Sequence, residues 1–155
     1  MATKQEALGQ LDAAYNEFRG KIADLPGDAY NETWLGTWNL SQLLAHMGGW
    51  FNEMTGGMER VGRGERPTPE GVDYSDADGW NAKFAATATP GKEALDVWDM
   101  RYRRYAEAAN ALGDDLYGEN EQGRPKIGNR LIGASGLEHF AEHGEQLDNW
   151  LATRK

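Results

Sequence analysis

Apolar residues recur along this chain at three- and four-residue spacing, the signature of helices with one buried face. The first such stretch runs from about Lys4 to Leu25, with Ala7, Leu11, Ala14, Phe18, Ile22 and Leu25 on one stripe, and Pro26-Gly27-Asp28 stops it. The second starts at Asn39 and carries Leu40, Leu43, Leu44, Met47, Trp50, Phe51 and Met54. Asn39 is a good N-cap, and Gln42 three residues on completes a capping box. This helix is expected to fray at Gly56-Gly57 or to reach about Val61. The third runs from about Lys92 to Leu112 on Ala94, Leu95, Trp98, Tyr102, Tyr105, Ala109 and Leu112, with Gly113 at its stop. The fourth runs from about Asn129, its expected cap, to Leu151, with Leu131, Ile132, Ser135, His139, His143 and Leu147 inward.

Between the second and third stretches lies GRGERPTPEGVDYSDADG, rich in Gly, Pro and Asp, followed by a short helical pattern from Gly79 to Ala86. This long connection reads as a surface excursion. β-Branched residues are few and strict alternation is absent, so strand signals are scarce. The predicted fold is all-α: an antiparallel four-helix bundle in one domain spanning residues 1–155, with a long link between the second and third helices.

Charge and composition narrow the function classes. The chain has 16 Lys and Arg against 25 Asp and Glu, a net charge of −9. That acidity argues against a nucleic-acid or anionic-membrane surface, and no apolar run approaches the ~20 residues of a membrane span. The opening MATKQEALGQ lacks the apolar stretch of a signal peptide, so a cytoplasmic protein is expected. There is no cysteine, which removes disulfides, thiolate ligands and a cysteine nucleophile. Any thiol chemistry then needs a small thiol cosubstrate.

The chain holds three histidines, and all fall on inward stripes. His139 and His143 are one turn apart on the fourth helix, and His46 sits on the second. Three imidazoles from two helices suit a divalent metal with an open coordination position, zinc first, with nickel, iron or manganese as alternatives. Burying three imidazoles without a partner would cost desolvation, which weighs against a packing role. Glu142 and Glu53 are candidate acid-base groups, although a solvated helix edge explains each as well. Trp38, Trp50 and Trp80 are candidate walls of a small-molecule pocket. Arg101, in the only basic cluster, is a candidate anchor for a substrate carboxylate or phosphate.

At these residues the chain resembles the DinB/YfiT-like family of metal-binding four-helix bundles. The carriers are WNLSQLLAH from Trp38 to His46 and the HxxxH of His139 and His143. The resemblance implies that His46, His139 and His143 bind a divalent metal, and that the protein forms a homodimer. WNAKF at Trp80 and IGASGLEHFAEHGEQLDNWL resemble two branches in particular. One is the mycothiol-dependent maleylpyruvate isomerase type. The other is the ClbS-like type, which opens the cyclopropane of a reactive genotoxin. The expectation is a metal-dependent enzyme that opens a small electrophile by hydrolysis or transfers a thiol to it. The alternatives are a bundle that binds a metal or small ligand without turnover, and a structural bundle with no metal.

Overall fold

The computed structural model describes residues 3–154 and is helical with one small hairpin. The long helices are α1 (Lys4–Ile22), α2 (Leu40–Gly62), α4 (Glu93–Ala111) and a last helix in three parts. That helix is α5 (Ile127–Ile132), a π turn at Gly133–Leu137, and α6 (Glu138–Thr153). α3 (Ala77–Ala85) lies in the long connection. The expected all-α bundle is borne out.

Side-chain contacts give the helix directions. Arg19 and Tyr15 meet Asp99 while Asp12 meets Tyr102, so α1 and α4 are antiparallel. Leu11 lies by Gly136 and Lys21 pairs with Asp148, so α1 and the last helix run the same way. Ser41 meets Gly91 and Gly48 meets Arg101, so α2 and α4 are also parallel. The order is up, down, down, up. The long connection makes this possible, since two parallel neighbours cannot be joined by a tight turn.

The bundle encloses one aromatic-rich core. Phe51, Trp98 and Tyr105 are fully buried, and Phe140 packs among Phe18, Phe51, Trp98 and Tyr102. The buried Tyr105 hydroxyl donates to the Leu131 carbonyl at 2.7 Å. That carbonyl sits just before the π turn, where the hydrogen-bond ladder changes from i+4 to i+5 pairing.

Element ends differ from the periodicity in informative places. α1 stops at Ile22, and Leu25 belongs to a turn whose N–H returns to the Ile22 carbonyl. α2 runs through Gly56-Gly57 to Gly62, because its apolar face continues to Met58 against the core. α3 begins earlier than Gly79, capped by Asp76. The last helix begins at Ile127 and is not capped by Asn129, whose side chain accepts instead from the Gly118 N–H at 2.6 Å.

Two short strands stand where strand signals are scarce. β1 (Thr33–Leu35) and β2 (Trp38–Asn39) pair antiparallel around Gly36. Gly36 has φ +62, which a side chain would strain, and a two-residue turn with positive φ at its first central position matches the twist of a hairpin. Trp34 of β1 stacks on Trp150 of α6 with centroids 4.6 Å apart, which fastens the hairpin to the bundle.

Candidate metal centre

The hairpin delivers Trp38 and Asn39 to the start of α2. The Asn39 side chain accepts from the Gln42 N–H at 2.9 Å, and the Gln42 side chain accepts from the Asn39 N–H at 2.9 Å. Both halves of the predicted capping box are therefore made, and the box sets where α2 begins. His46 follows two turns later, facing the last helix.

On that helix the π turn comes just before His139. A π turn holds an extra residue, so it rotates everything after it relative to α5 and opens the local backbone. His139 and His143 then face His46. The ring centroids are 4.9 Å apart for His46 and His139, 5.3 Å for His46 and His143, and 5.2 Å for His139 and His143. One ligand nitrogen from each ring lies within 4.8 Å of the others. The rings sit in an open cleft of about 380 Å³ lined also by Trp38, Trp50, Asn81, Ser135 and Glu142.

Burial holds His46 and His139 neutral. His46 is 4% exposed and His143 7%. Desolvation, with His139 and His143 as neighbours, lowers the His46 pKa to about 3, against a weak opposing pull from Asn81. Desolvation and His143 lower His139 to about 4, against the Ser135 carbonyl. A neutral imidazole is the form that binds a cation. Among the described residues, Nδ1 of His46 and Nδ1 of His139 are buried without a hydrogen-bond partner. His143 differs: its Nδ1 lies 2.7 Å from Oε1 of Gln146. An amide oxygen only accepts, so Nδ1 carries the proton and Nε2 is left with its lone pair. Three converging imidazoles, two of them with unpartnered nitrogens and the third fixed by an amide, fit a divalent ion.

The other candidates divide. Trp38 lines the cleft, its ring 5.2 Å from His46. Trp50 lines it too, held by a 2.7 Å bond from Nε1 to Oδ1 of Asn81. Glu142 stands exposed at the rim.

Three expected site residues are elsewhere. Glu53 shares the helical face of His46 but lies two turns, about 10 Å, along the axis, and it accepts from the Tyr74 hydroxyl at 2.8 Å. Trp80 does not line the cleft; it packs behind Trp50 at 6.2 Å, with its N–H bonded to the Asp73 carbonyl at 2.8 Å. Arg101 is on α4, and α2 stands between it and the histidines. Asn81, Gln146 and Ser135 belong to the site and were not among its expected residues. Only Gln146 left a readable signal, as an amide one turn beyond a ligand-type histidine.

The sequence model of the DinB superfamily matches residues 10–147, nearly the whole chain. The chain belongs to the DinB superfamily. Its fold is shared with solved structures of low sequence identity. One, from Streptococcus pneumoniae, is 11% identical with a TM-score of 0.81, covering 100% of this chain and 93% of that one. The colibactin self-resistance protein ClbS, solved in complex with double-stranded DNA, is 15% identical with a TM-score of 0.79, covering 96% and 95%. The mycothiol-dependent maleylpyruvate isomerase is 18% identical with a TM-score of 0.70, covering 95% of this chain and 63% of that one. No curated protein sequence matches this chain.

The DNA complex of ClbS corrects one expectation. The net charge of −9 does not exclude nucleic acid, because a DinB-like fold is solved bound to DNA. Net charge averages over a surface, whereas a phosphate backbone meets only one patch of it. Among the described residues, no helix is long and apolar enough to cross a membrane.

Proposed function

We propose that this DinB-superfamily protein is a metal-dependent enzyme acting on a small electrophilic molecule, with His46, His139 and His143 as the metal ligands. The observation that carries the reading is the convergence of three imidazoles from two helices at the base of an open cleft. When bound, zinc or a related divalent ion supplies Lewis-acid activation of a nucleophile at neutral pH, either water or a low-molecular-weight thiol. Gln146 holds the His143 tautomer that leaves Nε2 free. Trp38 and Trp50 give the cleft flat apolar walls suited to an organic substrate. Asn81 fixes the Trp50 indole. Glu142 at the rim is the carboxylate placed to take up or release a proton as substrate enters. The two chemistries proposed, hydrolytic opening and thiol transfer, both need a nucleophile from outside the chain, which has no cysteine.

A second reading is a bundle that binds a metal or small ligand without turnover. It is favoured by the departure of Glu53, which leaves the exposed Glu142 as the one carboxylate lining the cleft among the described residues. Two measurements separate the readings. Metal content by mass spectrometry should give about one ion per chain, lost in His143→Ala. The loaded protein should then consume epoxides or activated alkenes, with or without added thiol. An ion bound with no turnover of any electrophile selects the binding reading. No ion in either protein after reconstitution overturns the enzyme reading and leaves a bundle whose histidines serve packing or the binding of a small ligand.

A further inference from the structure

Arg101 is absent from the histidine cleft, and its actual surroundings form a second site. At about 100° per residue, Ser41, Ala45 and Gly48 fall roughly half a turn around α2 from His46 and Trp50. That back face, α4 and the segment after α3 bound a cavity of about 220 Å³. It is more enclosed than the histidine cleft, and among the described residues no carboxylate lines it.

Ser41 and Thr87, which line this cavity, give their hydroxyls to backbone carbonyls, but three other polar groups around it have no partner. Thr89 Oγ1 is buried and, among the described residues, has no hydrogen-bond partner. The indole N–H of Trp98, a residue that also lines the cavity, has none either. Arg101 is half-buried, with neither an ion pair nor a hydrogen bond to any described residue. Arg19, also half-buried, is by contrast paired with Asp99. A guanidinium and a hydroxyl left unpartnered beside one enclosed space are costly unless something accepts from them. Gly48 explains how Arg101 comes to be there. A Cβ at Gly48 would lie 3.1 Å from Arg101 Cδ and 3.7 Å from Nη1, so the missing side chain lets the arginine lie flat against α2.

We propose that this cavity binds a small organic monocarboxylate. Its carboxylate is held by Arg101 and Thr89, and its apolar body lies against Ala45, Val97 and Trp98. One guanidinium matches one negative charge, and its planar fork matches a carboxylate. The volume is below that of ordinary drug-sized pockets, which limits the ligand to about one ring or a short chain. The site is separate from the histidine centre and does not depend on the metal reading.

The test is NMR titration of the intact, zinc-treated chain with acetate, butyrate and benzoate, and with benzamide as the uncharged isostere of benzoate. At least one carboxylate should cause saturable shifts at Thr87–Thr89 and around Arg101. Arg101→Gln should weaken binding at least tenfold and Thr89→Val severalfold, while benzamide does nothing and His143→Ala leaves binding intact. Thr89→Val is nearly isosteric and keeps the test valid if Arg101→Gln fails to fold. The proposal is overturned if no carboxylate shifts these residues, if benzamide acts as benzoate does, or if the shifts map to His46 and His139 instead.

Discussion

The Gln146 amide accounts for one of the three imidazoles, and its removal should show what orientation contributes. Gln146→Leu leaves His143 in place but frees its tautomer and ring rotation. A loss of 10- to 100-fold in zinc affinity is expected, measured by competition with a chelator. His46→Ala should instead abolish stoichiometric binding. The two depressed pKa values carry a stability prediction for the metal-stripped protein. Unfolded, His46 and His139 would titrate near 6.5; folded, they do so at about 3 and about 4. Between these values the unfolded chain holds more protons, so stability must fall as pH drops from about 6.5 toward 4. Melting temperature against pH should show that fall, and His139→Gln should flatten it. If parent and variant run parallel, the rings are not held neutral. The histidines were legible because helical spacing alone put all three on inward faces. Glu53 was misplaced because the same spacing says nothing of distance along the axis. Asn81 was invisible because its position depends on where α3 docks.

α3 docks where α2 has no side chain. A Cβ on Gly49 would fall 2.2 Å from Phe84 Cγ, so the two helices touch through that glycine. Gly49→Ala should destabilise by about 1–3 kcal/mol in chemical denaturation, since the ring or the helix must move. It should also weaken ligand binding in the cleft, because α3 carries Asn81. By contrast Phe51→Ala, in the middle of the core, should cost about 3–5 kcal/mol with the cleft walls still in place. The long helices could be read from their apolar stripes, and the start of α2 from its capping box. The hairpin escaped because its strands are only 3 and 2 residues long and its support is the Trp34–Trp150 stack, a contact between chain ends. The π turn escaped because an inserted residue leaves no composition signal. A glycine at Gly133 and another at Gly136 are compatible with it but do not demand it.

Across the whole molecule, the buried residues of all four long helices join one cluster. We therefore expect a single cooperative unfolding transition, with calorimetric and van't Hoff enthalpies equal; two separable transitions would argue for two domains. The parallel run of α2 and α4 has a further consequence. α2 is 23 residues, about 35 Å long, and the chain leaving its far end must travel back that distance before α4 can begin. Crossing it takes at least ten extended residues, so no deletion can shorten this passage to a tight loop. The return trip passes over both faces of α2, the one with the histidines and the one with Arg101. A segment that must exist for reasons of connectivity, yet whose residues are mostly outside the core, is the place where this scaffold can exchange one ligand preference for another while its imidazoles stay where they are.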